Sequence, residues 1–268
     1  MPEARPSILF FHAHPDDEAI FTGGTIARLT ALGVGVTVVI ATDDHDSSIS
    51  DCRTRRLEAE AAAATLKVDR LEFLGYPDSG LGPKPARGSF AATPTEEAAD
   101  RLAGIAVGVG ATAIVTYDAG GIYGHPDHLA VHRAGLVAAR AAQVPTVYQA
   151  TVDREHLHFV ATHVVGHAVE ALMQASSADR PEGMLADALA RPIDGKLAGG
   201  TPTVLIDTTV DVSDVLDRKR AAMAAHVSQI PPDSEVMLLD DVAFAAVYGH
   251  EWYVRSGPST MLDQLTIP

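Results

Sequence analysis

Short β-branched runs alternate with Ala-rich stretches through the first 150 residues, and this alternation narrows the fold more than any other feature of the chain. Ser7–Phe11, Val36–Ala41, Leu71–Leu74, Ala111–Tyr117 and Pro145–Thr151 have strand length and almost no charge. Between them, Asp17–Leu32, Arg53–Leu66, about Pro94–Val107 and Pro126–Ala142 read as helices. In the first of these, Ile20, Ile26, Leu29 and Leu32 are spaced for one helix face, and Gly33 is a stop signal. Strand–helix–strand at this spacing requires crossover connections. The expected fold is therefore α/β: a Rossmann-like three-layer α/β/α arrangement around a mostly parallel sheet. Ligands in such sheets bind where the loops converge beyond the carboxyl ends of the strands.

The second half is less regular. Glu155–Ser177 reads as helix, Pro181–Gly200 as a loop or flap, Val204–Val210 as strand and Val212–Val227 as helix. The expectation is one domain over 1–268, with a Rossmann-like core in 1–150 and a portion, 151–268, that completes the substrate pocket.

Composition removes several function classes. A single cysteine forbids an internal disulfide and any Cys-rich metal site, so a bound metal would need nitrogen and oxygen ligands. Lys and Arg total 20 against 35 Asp and Glu, a net charge of −15, which disfavours a nucleic-acid partner. The uncharged stretch Leu102–Tyr117 is interrupted by glycines and too short to span a bilayer. The N-terminal residues lack a basic segment followed by a long apolar one, so a cytoplasmic protein is expected.

Two strand-to-helix corners carry the chemistry. His14-Pro15-Asp16-Asp17 follows the first strand, and His125-Pro126-Asp127-His128 follows the fourth. Both prolines suit a first helical turn. In a Rossmann-like order these strands are neighbours, so the corners should face each other. Either corner alone reads equally well as an ordinary helix cap. Together they gather three imidazoles and three carboxylates. Two histidines and one carboxylate suit a catalytic zinc site with one position open to water, leaving further groups as acid and base. This is equipment for metal-assisted amide hydrolysis. Asp127, two residues from His125, is expected to raise its pKa so that the imidazolium offsets an oxyanion.

At these residues the chain resembles the PIG-L / LmbE-like superfamily of zinc-dependent N-deacetylases. The likeness rests on AHPDDE (Ala13 to Glu18) and YGHPDH (Tyr123 to His128). Weaker matches are Arg55-x-x-Glu58, Tyr76 to Gly80, and Lys219 to Gln229 with His226, Ser228 and Gln229. The resemblance implies one Zn²⁺ held by His14, Asp17 and His128, with Asp16 as general base. It implies that His125 stabilises the oxyanion or protonates the amine, that Asp127 orients His125, and that Tyr123 polarises the carbonyl. Arg55 and Asp78 would bind substrate at the mouth. The implied activity is removal of an N-acyl group, most simply N-acetyl, from a small amino sugar or glycoside. Within the family the alternative is an amidase for a larger acyl group, with the loops at Gly80–Phe90 and Arg180–Gly200 setting the fit. A phosphoesterase lacks a basic cradle here, and a carbohydrate-binding protein without catalysis would need a broken ligand or base.

Other polar residues have plainer readings. Asp43, Asp44 and Asp46 follow the second strand as a solvated loop or as contacts to a polyhydroxylated substrate. His163 and His167 share a helical spacing but lack the intervening glutamate of a zinc-protease motif, so they read as surface or core histidines. His12 and His132 fit packing behind the site, His226 either lines the pocket or packs a helix end, and Cys52 packs.

Overall fold

The structure is a computed structural model, and it describes residues 5–43, 52–80, 84–160, 164 and 199–266. Five strands run parallel: β1 (Ser7–His12), β2 (Gly35–Thr42), β3 (Arg70–Tyr76), β4 (Ala113–Tyr117) and β5 (Thr146–Thr151). Two more, β6 (Thr208–Asp211) and β7 (His250–Ser256), join the same sheet, with β7 antiparallel to both β5 and β6. The order is β3-β2-β1-β4-β5-β7-β6. The chain moves outward from β1 to β3 and then returns to the other side of β1. The corners after β1 and β4 are thereby neighbours at the switch point.

The helices are α1 (Asp17–Phe21), α2 (Gly23–Ala31), α3 (Cys52–Leu66), α4 (Thr95–Gly108), the single turn α5 (Gly121–Gly124), α6 (Pro126–Ala141), α7 (Arg154–Val160), α8 (Leu216–Ala224), α9 (Glu235–Leu238) and α10 (Asp241–Tyr248). They cover both faces of the sheet, as the alternation predicts, with α4 packed on α6 and α8 packed on α2 and α3. Every residue of β1 is buried, as expected of a central parallel strand covered on both faces. Phe10 and Phe11 are wholly inside, each contributing about 1.5–3 kcal/mol of hydrophobic stabilisation.

The helix predicted over Asp17–Leu32 is broken at Thr22, whose φ is −138°. The Thr22 hydroxyl donates to the Glu18 carbonyl at 3.1 Å and lies 3.0 Å from His12 Nε2. The restarted helix is capped from across the sheet, because Glu251 on β7 accepts from the backbone of Gly24 and Thr25 at 2.8 Å each. Only glycine fits at residue 24, where a Cβ would stand 2.4 Å from Val212 Cβ. The same Glu251 meets Lys219 Nζ at 2.7 Å, and both side chains are almost wholly buried. Burying that pair without loss requires its remaining lone pairs to be used, and the α2 cap uses them.

The predicted strand over Val204–Val210 is a 3₁₀ turn, Thr203–Leu205, followed by β6, and the predicted helix over Val212–Val227 narrows to α8. Strand β7 was not anticipated. Residues 161–163 and 165–198, which hold most of the predicted Glu155–Ser177 helix and the Pro181–Gly200 flap, lie outside the described residues, as do 44–51 and 81–83. Among the described residues no helix is long and apolar enough to cross a membrane.

Candidate active site

The ends of β1 and β4 bring His14, Asp17 and His128 together, all buried, with one ligand atom from each within 4.8 Å of the others. Asp17 Oδ2 stands between the two rings, 3.4 Å from His14 Nδ1 and 3.3 Å from His128 Nε2. Zinc bonds of 2.0–2.2 Å in a tetrahedron put neighbouring ligand atoms about 3.3–3.5 Å apart. The side chains thus have the donor types and spacing that ion requires.

Supporting contacts aim these side chains. The His14 backbone N–H donates to Asp17 Oδ2 at 2.9 Å. His14 Nε2 is 3.2 Å from Asp127 Oδ2 and 3.5 Å from Asp78 Oδ2, leaving Nδ1 for the ligand group. This is the carboxylate–histidine arrangement that fixes a metal-binding imidazole. His128 is held by stacking on Tyr117, with ring centroids 4.5 Å apart, and its Nε2 lies 3.2 Å from the Tyr123 hydroxyl. The Tyr117 hydroxyl in turn takes the Ala13 N–H at 3.2 Å and meets His12 Nδ1 at 3.0 Å, so His12 sits behind the site as predicted for packing.

Charge follows this geometry. Burial disfavours the charged form of every group here, yet the neighbouring imidazoles hold Asp17 well below the ordinary carboxylate range. Asp127, Asp17 and Asp78 outweigh the burial of His14 and hold its imidazole well above its ordinary value, so a cation is favoured at this point. Asp16 behaves in the opposite way, pushed up to about 7 by burial and then by the charge of Asp17. Tyr123 is also raised, mainly by burial, and stays protonated.

The β1 corner is strained. Asp16 has φ 113°, ψ −31°, which a non-glycine residue adopts only when held there, at about 1–3 kcal/mol. Its N–H donates to Glu18 Oε2 at 3.0 Å, and its carbonyl accepts from Ala19 and Ile20 at 3.0 Å each. Pro15, expected within the first helical turn, lies ahead of α1, which begins at Asp17. At the β4 corner Pro126 does occupy the first turn, and His125 is the cap, its Nδ1 accepting from the Asp127 N–H at 3.1 Å. Upstream, Ile122 sits at φ 62°, ψ −61°, a conformation foreign to a β-branched residue, tied through its N–H to Asp118 at 2.9 Å. Gly121 makes this approach possible, since a Cβ there would stand 2.9 Å from both His128 Cβ and Leu129 N.

Three expectations need correction. The Asp127 carboxylate does not orient His125, because its nearest approach is 3.9 Å and its oxygens are already occupied. Oδ2 accepts from Ser79 N at 2.9 Å, Oδ1 accepts from Ala91 N at 3.0 Å, and the Ser79 hydroxyl donates a short bond to Oδ1. That saturation also argues against a second metal in the neighbouring His14, Asp78, His125 and Asp127 group. Second, His125 is not held protonated: Asp127 does raise it, as expected, but burial first, then the charges of His14 and His128, outweigh this and push it down to about 4. Third, Arg55 is buried rather than at the mouth, its Nη2 donating to the Pro15 carbonyl at 3.1 Å. Asp78 does keep an exposed side, with about a quarter of its side chain accessible.

Some contacts involve residues that only weak motifs mark in the sequence, and their pairing had no signal there. His226 is inside, its Nε2 2.6 Å from Glu18 Oε1, and Glu58 accepts from Ser228 N at 2.8 Å and from its hydroxyl at 2.6 Å. The weak motifs at Arg55–Glu58 and Lys219–Gln229 therefore converge as a frame around the β1 corner. His132 Nδ1 reaches the Tyr117 carbonyl at 2.9 Å. Of the aspartates after β2, Asp43 lies 3.4 Å from Arg56 through Oδ2, while Asp44 and Asp46 fall outside the described residues, as do His163 and His167.

Known proteins bear on this site. Residues 9–139 match the sequence profile of PIG-L, GlcNAc-PI de-N-acetylase. The chain is 35% identical over 280 residues to the 1D-myo-inositol 2-acetamido-2-deoxy-alpha-D-glucopyranoside deacetylase of Mycobacterium sp. (strain JLS), covering 95% of this chain and 84% of that protein. Among solved structures it is similar to the zinc inhibited form of teicoplanin deacetylase Orf2, with TM-score 0.58, 20% identity, and coverage of 94% of this chain and 100% of that one. It is also similar to GalB, the 4-carboxy-2-hydroxymuconate hydratase from Pseudomonas putida KT2440, with TM-score 0.53, 18% identity, and coverage of 96% and 98%. At such identities these structures speak for the fold alone, and one fold here carries two chemistries. The curated relative and the profile, which spans both His-Pro-Asp corners, together identify the chain as a member of the PIG-L family.

Proposed function

We propose that this protein is a zinc-dependent N-deacetylase that hydrolyses the acetamide of an N-acetylglucosamine glycoside, the class of compound for which its mycobacterial relative is named. The observation that carries this reading is the buried His14–Asp17–His128 group, in which Asp17 Oδ2 stands 3.4 and 3.3 Å from the two imidazole nitrogens, with Asp16 preceding Asp17 in the chain. Zinc bound there supplies a Lewis acid and a water acidified to near neutral pH. The zinc-inhibited form of the structurally similar teicoplanin deacetylase supports zinc as an ion this fold accepts.

The chain's own groups divide the remaining work. Asp16, preceding Asp17 in the chain, takes the proton of the attacking water and returns it to the leaving amine nitrogen. The Tyr123 hydroxyl, protonated and 3.2 Å from His128 Nε2, donates to the carbonyl oxygen as charge develops on it. His125 Nδ1 accepts from a backbone N–H, so the neutral ring carries its proton on Nε2 and serves as a second donor to that oxygen. Asp127 keeps His14 aimed, and Arg55 steadies the Pro15–Asp16 peptide. Asp78 offers its exposed oxygen to substrate hydroxyls.

The test is acetate release from 1D-myo-inositol 2-acetamido-2-deoxy-α-D-glucopyranoside by zinc-loaded protein, with a chelator-treated control. Stoichiometric acetate and amine, abolished by the chelator and restored by zinc, is the expected result. No release from this compound, with release from a longer N-acyl analogue, would move the reading to a large-acyl amidase.

A further inference from the structure

We propose that His226 and Glu18 form a buried positioning pair that holds Asp16 in its working geometry, so that the segment after α8 governs the reaction without touching substrate. The proposal rests on the reading of Asp16 as the general base.

Asp16 stands in a backbone region that its own side chain disfavours, at φ 113°. Its N–H is held by Glu18 Oε2 at 3.0 Å. The other oxygen of that carboxylate meets His226 Nε2 at 2.6 Å, and both side chains are buried almost completely. One carboxylate thus bridges the strained peptide to an imidazole 208 residues further along the chain. The backbone that carries the imidazole is itself fixed. Gln229 N and Ile230 N donate to the His226 carbonyl at 3.0 and 2.7 Å, and Glu58 on α3 pins Ser228 through its N–H and its hydroxyl.

Packing alone gives no reason for this arrangement, since apolar side chains of similar volume fill such a space at no loss and often at a gain in stability. Only an acceptor at Glu18 can satisfy the N–H of a residue held at positive φ. Only a donor at His226 can keep that acceptor turned toward Asp16 rather than toward the ligand group next to it. Conformations of this kind persist where the surroundings over-determine them. Here the surroundings are contributed by the second half of the chain.

The experiment measures kcat, KM and bound zinc for zinc-loaded His226→Ala, His226→Gln and Glu18→Gln, with 1D-myo-inositol 2-acetamido-2-deoxy-α-D-glucopyranoside as substrate. A displacement of about 1 Å at a reacting group can cost on the order of 100-fold. His226→Ala is expected to lower kcat by about 10–100-fold while KM and zinc content stay at the parent values. His226→Gln, which still donates to Glu18, restores most of the rate. In an Asp16→Asn background His226→Ala has no further effect, as for two residues acting through one step. Glu18→Gln is nearly isosteric and covers the case in which the alanine variant does not fold; its kcat falls several-fold at constant KM. An unchanged kcat in a folded His226→Ala, a parent-like Glu18→Gln, an effect confined to KM, or losses that multiply with Asp16→Asn would each overturn the proposal. Failure of the underlying reading shows separately, as parent-like turnover by Asp16→Asn alone.

Discussion

At the β1 corner Asp16 stands half-buried at positive φ with its carboxyl pushed up to about 7, whereas at the β4 corner the equivalent Asp127 is wholly buried with its oxygens already bonded. The flanking residues, His-Pro-Asp, are the same in both. Backbone conformation after the proline separates them. Pro126 enters the helix directly, so His125 becomes the cap and Asp127 points inward to the frame. Pro15 precedes a residue at positive φ, which delays the helix to Asp17. The fourth residue of each corner, Asp17 or His128, joins the ligand group in both cases. The lesson is that a shared tripeptide places the residue after it in one candidate metal group, while the turn that follows decides whether the aspartate of the tripeptide is left half-buried or is held by inner donors.

Exchanging the two aspartates is the harshest way to break this contrast. Asp16→Asn should lower kcat by about 10²–10⁴-fold with zinc content unchanged, measured by acetate release and elemental analysis. Asp127→Asn should instead weaken zinc binding by about 10–100-fold, measured by chelator competition, because His14 loses its orienting partner. If the two variants share one phenotype, the corners are not specialised.

The contrast also locates what was legible in the sequence. Both ligand corners were, because each is local and ends a strand in an alternating pattern. The role of Asp127 was not. Its nearness to His125 in sequence suggested a partnership that the helix cap forecloses, since the Asp127 N–H itself occupies His125 Nδ1. Strand β7 was hidden because it carries a charge: Glu251 breaks its apolar pattern, and its burial is explained only by Lys219 and the α2 N-terminus, far away in the chain. The His226–Glu18 contact spans 208 residues and leaves no periodic trace.

A smaller effect is expected at Gly121. Gly121→Ala would force a side chain into a positive-φ position 2.9 Å from His128, destabilising the protein by about 1–3 kcal/mol in denaturant unfolding and lowering zinc affinity. A neutral outcome would mean that the β4 corner does not depend on this close approach.

The smallest effect is a stability change of opposite sign to the activity change. In the metal-free protein Asp16 ionises near pH 7, whereas an ordinary aspartate does so at 3.8. The unfolded chain loses that proton first, so stability falls as pH rises from about 4 and levels off above about 7. Asp16→Asn should therefore stabilise the metal-free protein by about 1 kcal/mol at pH 8, allowing for partial exposure, and leave it unchanged at pH 4. A loss of stability at pH 8 would show that Asp16 is not under this burden. Asp127→Asn should destabilise at pH 8, because the amide keeps one acceptor oxygen and sets an NH₂ group against the donors that the other oxygen satisfied.

The proposed reaction requires one zinc ion held between the two corners. Metal-stripped protein titrated with zinc, with acetate release followed at each addition, tests this most directly. The expected result is activity rising linearly to a break at one zinc per chain, and no such uptake or activity in His128→Ala. Full activity without bound metal, or a His128→Ala variant that takes up zinc and turns over like the parent, would contradict it.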